Sequence, residues 1–413
     1  MRTGAVTEAG KKSGRHTGVV CCLLAVLVSP TLTAASPSNA MDTSVYVYAG
    51  LDHFYNLEYE EALANFRRAL EREPENPIFV NYLAYTYLFR ELYRTGQLET
   101  RLYTESNAFL KEEKPNPDPA AIETFKELIA RSKEICSRRL KKEARDKIAL
   151  YALGIAHALE SSYEFTLAKR WFASLKAGTR AKEAHQKLKR YYPEEHDADM
   201  VLGLYEYAVG SIPAAVKWLA LLVGYRGSKE RGIALLHSAI TQGQHVSTNA
   251  SVLLAVVYNR EKQYAYTRAL LEKLAEYYPR NYLLHLESAH THLREGNERG
   301  ALEVYRRVAR KMEEQEPNFT RVPSDRLYYQ IGSLEQRLGN YEQALAVFEK
   351  VIGSPTADGL ISAFSRVRKG EIYLVQNRHE EARQECETVL ASAHAEARAQ
   401  AQQLLLRLPK RAP

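Results

Sequence analysis

Residues 43–76 read TSVYVYAGLDHFYNLEYEEALANFRRALEREPEN and carry two apolar stripes in succession. Tyr46, Gly50 and His53 recur at helical spacing, and after a short polar break so do Tyr59, Ala62, Phe66 and Ala69. The first stripe holds one small residue, Gly50, and the second two, Ala62 and Ala69, among large ones. Two antiparallel helices joined by a tight turn approach closest where both side chains are small. Tyr46, His53 and Phe66 then fill the space around that crossing. Pro74 lacks the N–H that a continuing helix needs, so it ends the unit.

The same spacing returns along the chain. Thr248–Asn281 supplies Ala255, Tyr258, Tyr264, Leu271 and Pro279, with Thr267 at the second small position. Tyr282 opens the next unit without a gap, giving Ala289, His292, Ala301 and Tyr305. Asp325 opens another, with Tyr328, Gly332, Tyr341, Ala344 and Phe348, and Ala363 the last, with Gly370, Tyr373, Ala382 and Cys386. Self-similarity at this period is the mark of a stacked helical array. The pattern resembles the tetratricopeptide repeat (TPR). That resemblance implies an all-α, superhelical solenoid of antiparallel helix pairs, with partner proteins bound in a concave groove.

Two further units diverge. Lys147–Ser161 reads as a first helix with Gly154 at its crossing, followed by a long helix from Glu164 to Tyr192. The next has Gly203 at its crossing, but its second helix waits until Glu230, where Gly232 takes the small position. Between them lies an insertion, 209–231, with a Ser-Ile-Pro turn, the apolar run Ala214–Val223 and Gly224-Tyr225-Arg226-Gly227. This segment, 203–232, resembles the inclusion-body-clearance TPR family and bacterial exported TPR proteins, which implies an adaptor and not a reaction. The expected organisation is a signal peptide at 1–40, a first TPR at 41–76, a divergent TPR-like region at 77–246, and a C-terminal array at 247–408. A last helix, Ala393–Leu408, is expected to cap the apolar positions Phe364, Val367, Leu374 and Val375.

The leader reading rests on Lys11, Lys12, Arg15 and His16, followed by the apolar run Val19–Val28 and small residues before Ala40. Cleavage after Ala40 predicts an exported chain, periplasmic or extracellular. No later segment has the length of apolar sequence that spans a bilayer. Part of the net charge of +7 lies in the leader, and the other basic residues are interleaved with Glu along helices. That argues against nucleic acid as a partner. Of four cysteines, Cys21 and Cys22 fall in the leader. Cys136 and Cys386 sit too far apart to meet if each repeat touches only its neighbours, so no disulfide is expected.

Little in the sequence supports catalysis. His285, His290 and His292 are spaced by five and two residues, which does not put two ligands on one helical face, so no metal site is expected. Gly224–Lys229 lacks the ending of a phosphate loop. No catalytic residue or cofactor is assigned. The groove positions of the C-terminal units hold Asn249, Asn259, Arg260, His290, Arg294, Arg326, Tyr329, Gln336 and Arg337. Recurrent Arg suits bidentate contact with carboxylates. The expectation is an interaction scaffold of the cell envelope that takes peptide or protein partners, acidic segments among them. The competing readings are an envelope enzyme or carbohydrate-processing accessory factor, and a dimerising spacer. Paired Asp or Glu facing aromatics would favour sugar hydrolysis.

Overall fold

The computed structural model describes residues 37–98, 115–212 and 225–409. The leader up to residue 36 and the apolar part of the insertion, 213–224, lie outside them. Among the described residues the chain is helical, with no strand. The helices pair in order: α1 (Pro37–Tyr55) with α2 (Tyr59–Arg72), α3 (Pro77–Arg94) with α4 (Pro119–Lys142), and α5 (Lys147–Thr166) with α6 (Trp171–Tyr191). Next come α7 (Ala198–Gly210) with α8 (Lys229–Thr241), α9 (Ser247–Arg260) with α10 (Tyr264–Tyr277), and α11 (Tyr282–Glu295) with α12 (Glu298–Glu313). The last pairs are α13 (Ser324–Arg337) with α14 (Tyr341–Ile352) and α15 (Gly359–Val375) with α16 (His379–Leu390), followed by α17 (Ala395–Arg407).

The loosened stretch after Pro77 is thus a full hairpin, α3–α4. The second helix of the Lys147 unit begins at Trp171 and not at Glu164, because α5 runs on to Thr166 before the chain turns. The turns inside the hairpins share one device. Leu57, Gly96, Lys169, Lys262, Gly296, Gly339 and Asn377 all have left-handed backbone (φ between 55° and 81°). One such residue reverses the chain after a first helix, and glycine takes it without steric cost.

The small stripe residues seat what the repeat requires. A Cβ on Gly50 would fall 2.5 Å from the Phe66 ring, and one on Gly332 2.7 Å from Phe348. Helices α7 and α8 go further and meet backbone to backbone. A Cβ on Gly203 would lie 2.9 Å from the Gly232 carbonyl oxygen, and one on Gly232 2.6 Å from the Tyr207 nitrogen. One core runs from Val47 to Val351 through successive hairpins. A separate cluster, Ala363, Val367, Cys386, Val389, Ala397, Ala401 and Leu404, joins α15 and α16 to α17, which caps the array. Phe364 and Leu374 pack on that cluster, while Val375 stays 58% exposed.

The array does not remain open. The turn between α1 and α2 reaches across to the α10–α11 turn and to the connector after α12. Repeats distant in sequence therefore touch, contrary to the nearest-neighbour expectation for a solenoid. Cys136 and Cys386 are nonetheless each buried as free thiols.

Candidate functional site

The closure is built from side chains that the repeat pattern does not dictate. Arg280 donates from Nε to Glu58 Oε1 at 2.8 Å, and from Nη2 to Glu58 Oε2 at 3.1 Å and Asp52 Oδ2 at 2.7 Å. Its backbone N–H donates to Asn56 Oδ1 at 3.0 Å. Asn281 Nδ2 donates to the Tyr55 carbonyl (2.7 Å), Asn318 Nδ2 to the Asn56 carbonyl (2.8 Å), and Arg321 Nη1 to the Leu57 carbonyl (3.1 Å). Burial opposes ionisation of Glu58, but bonds from Arg280, His53 and Asn318 outweigh it and hold its carboxyl at about 2. Aromatic pairs extend the contact: Tyr55 lies 4.6 Å from Tyr278, and the Tyr93 and Tyr282 hydroxyls are 2.7 Å apart.

Behind this clasp lies a cavity of about 790 Å³. One wall is the aromatic face of the first repeats, including Phe54, Tyr59, Tyr85 and Phe89. The other is the concave side of α9, α10 and α11, including Val252, Leu253, Leu271 and Leu286, closed by Leu327 of α13. Its size and apolar lining fall in the range of small-molecule pockets, roughly 300–1,000 Å³. Burial pushes the phenols of Tyr55, Tyr59, Tyr85 and Tyr305 upward, so they remain neutral O–H donors.

The sequence-predicted groove residues divide between several environments. Asn249, His290 and Arg326 line the cavity. Asn249 is buried, its Oδ1 accepting from the Tyr55 hydroxyl at 2.7 Å. Asn259 is buried too and donates to Glu287 Oε1 at 2.7 Å. Glu287 also lies 3.7 Å from His290 Nδ1 and 3.7 Å from Arg294 Nη1, so it gathers three of the predicted groove residues. Arg260 lies over the Tyr207 ring at 6.0 Å. Gln336 donates to Glu371 at 3.0 Å, and Arg337 pairs with Glu298 at 2.9 Å. Arg326 and Tyr329 border a smaller cleft of about 290 Å³ with Gln330, Ile361, Phe364 and Gln400. The Tyr329 hydroxyl accepts from Arg368 Nε at 3.4 Å.

Glu287, Glu58 and Arg280 escaped the sequence reading. Glu287 stands three residues before His290 on one helix face, a signal that was available. Nothing local marks Glu58 and Arg280 as partners 222 residues apart.

The three histidines have three different neighbours. Burial lowers His285 to about 4 beside the Phe319 ring, His290 faces Glu287, and His292 Nδ1 is 3.2 Å from Asn297 Nδ2. Among the described residues no set of His, Cys, Asp and Glu is placed to hold a metal ion. At the start of α8 the Ser228 N–H donates to the Glu206 carboxylate at 3.1 Å, so the turn after Gly227 is already bonded to an anion of the chain itself. No helix among the described residues is long and apolar enough to cross a membrane.

The family models that match the chain are those of tetratricopeptide-repeat proteins. No curated protein matches the chain. Solved structures similar to it include yeast Tom70 (11% identity, 89% of this chain and 90% of that one, TM-score 0.33). Another is a tetratricopeptide repeat protein from Parabacteroides merdae (13%, 79% and 99%, TM-score 0.29). A third is the human IFIT1 dimer with m7Gppp-AAAA (13%, 91% and 83%, TM-score 0.35). A tetratricopeptide-repeat model matches residues 49–93 and 329–409. A second family model, spanning the divergent middle and the regular repeats after it, matches residues 124–356, more than half of the chain, and on that match the protein belongs to the Iml2/Tetratricopeptide repeat protein 39 family.

Proposed function

We propose that this protein is a non-catalytic adaptor, exported to the cell envelope, that holds an acidic, extended segment of a partner protein in the groove over α13 and α15. The observation that carries the reading is the contrast along the concave face. Over α9–α11 the first repeat covers it. Over α13 and α15 the cleft bordered by Arg326, Tyr329 and Phe364 is open. Arg294 and Arg337 already face Glu287 and Glu298, while the Arg326 guanidinium has no acceptor among the described residues. An exposed, unpaired guanidinium beside aromatic rings suits a carboxylate-bearing peptide. Export rests on the basic segment and apolar run before residue 40.

The test is crosslinking capture by the full, leader-intact chain in its own host, with Arg326→Glu alongside. The expected result is an envelope-fraction bait lacking its first 40 residues, whose capture of an acidic partner is lost on charge reversal. An unchanged capture with Arg326→Glu overturns the groove reading. A cytoplasmic bait that keeps its leader overturns export.

A further inference from the structure

The covered part of the concave face is not filled by the repeat that covers it. Two polar groups in the cavity wall are left without partners. The Nδ2 of Asn249 and the hydroxyl of Tyr305 are buried with no hydrogen-bond partner, although Asn249 is only 3% and Tyr305 only 1% exposed. Both residues line the cavity. A buried donor without an acceptor costs about 1–3 kcal/mol, so such groups are rare unless something else satisfies them. Two more nitrogen-bearing side chains share this cavity. His290 meets the Tyr305 ring edge-on at 6.2 Å, and Arg326 of α13 opens into the same space. The remaining walls are mostly Leu, Val, Phe and Tyr; of the other polar residues there, Arg94 is bonded to Glu91, Asn281 to the Tyr55 carbonyl and Thr267 to the Gln263 carbonyl, and Gln330 lies at the exposed edge. The one carboxylate in the lining, Glu287, is engaged by Asn259, His290 and Arg294. Donors therefore outnumber free acceptors inside an apolar chamber.

We propose that this cavity binds a long-chain monocarboxylate of the fatty-acid class, its acyl chain along the apolar walls and its carboxylate directed to His290, Tyr305 and Arg326. The carboxylate supplies acceptors and no donors, which is what the wall lacks. Placing it toward exposed Arg326 leaves the charge near water while the chain is buried. The walls hold no row of alternating polar groups that a peptide backbone would need, so an acyl chain fits this chamber better than an extended segment of protein. The site is separate from the α13–α15 cleft except at Arg326, and it does not depend on the peptide reading.

The experiment is titration of the full chain with oleate and with methyl oleate, read by calorimetry, on wild type and three variants. Wild type is expected to bind one oleate per chain and to bind the methyl ester at least ten-fold more weakly. Tyr305→Phe, which keeps the ring and removes the hydroxyl, is expected to weaken oleate about 3- to 10-fold. Val252→Trp fills the chamber from a half-buried wall position and is expected to abolish binding while leaving partner capture through Arg326 intact. Gln402→Ala, at an exposed position of α17, a helix that contributes nothing to the lining, serves as the control for nonspecific loss of affinity. The proposal is overturned if oleate does not bind, if it binds equally to Val252→Trp, or if the ester and Tyr305→Phe match the wild-type acid. Loss of partner capture with Arg326→Glu while oleate binding survives Val252→Trp would sink this inference and leave the adaptor reading standing.

Discussion

Arg280→Ala removes the centre of the clasp, and its cost can be worked from the contacts. Two charge-assisted bonds to Glu58 disappear, at 2.8 and 3.1 Å, together with one to Asp52 at 2.7 Å. The Asp52 side chain is 50% exposed, so its bond contributes little. Glu58 is 13% exposed, and a bond to a charged group there is worth about 1.5–3 kcal/mol. Asn318 Nδ2 at 2.9 Å and His53 Nδ1 at 2.6 Å still hold the carboxylate, and Arg280 itself is 32% exposed. These offsets bring two bonds down to a net loss of about 2–3 kcal/mol. The contact joins the first repeat to the fifth and sixth hairpins, so the loss appears as local opening and not as a global transition. Hydrogen exchange of amides 52–58 and 280–281 is the appropriate assay. At about 1.4 kcal/mol per ten-fold change, protection there is expected to fall about 30- to 150-fold, with α15–α17 unchanged. A fall below about three-fold would refute the claim that this cluster holds the ring closed. A coupling near zero between Arg280→Ala and Glu58→Gln in a double-mutant cycle would refute it equally.

Glu58 lies at about 2 in the folded chain against an ordinary 4.5, so its stabilisation is complete above about pH 5 and is lost as pH falls toward 2. Exchange at 52–58 should rise over that window in wild type and lack that component in Glu58→Gln. Gly232→Ala would force a Cβ to within 2.6 Å of the Tyr207 backbone, and overpacking of that kind costs about 1–3 kcal/mol, read as a lowered midpoint in denaturant. Lys369 is 3% exposed and is held by Glu349 and Glu385, so Lys369→Met leaves the half-buried Glu385 with Arg366 as its remaining cation. That change is expected to cost about 2–3 kcal/mol and to speed proteolysis between α14 and α15. Burial pushes the thiol of Cys136 up to about 12 and that of Cys386 up to about 11. Both should resist iodoacetamide at pH 8 until the chain is denatured, and rapid labelling of either in the folded chain would contradict the burial.

Local periodicity made the hairpins legible. Gly50 with Phe66, Gly332 with Phe348, and Gly203 with Gly232 are short-range consequences of two helices packing, and spacing alone reports them. The boundary near Glu164 was misplaced because α5 continues one turn past its last stripe residue, and no proline or glycine marks the stop. Closure of the array was not legible. Arg280 and Asn281 read as an ordinary inter-repeat turn, and Asn56 and Glu58 as another. Only superhelical curvature, summed over the intervening hairpins, brings the two together. The same curvature redistributed the groove. Asn249 and Asn259 occupy groove positions by register, yet the first repeat covers one and Glu287 engages the other. Tyr329 lies beyond the covered stretch, and Arg326, at the border of the cavity and the α13–α15 cleft, stays exposed.

The adaptor reading is tested most directly by a photoreactive residue placed in turn at Tyr329, at Phe364 and at Tyr277, the last being 65% exposed and remote from the cleft. Each full-length variant is irradiated in its native host. The account expects one and the same partner crosslinked from 329 and 364, lost when Arg326→Glu is added, and absent from 277. Equal crosslinking from 277, or a partner that survives Arg326→Glu at both groove positions, would contradict it.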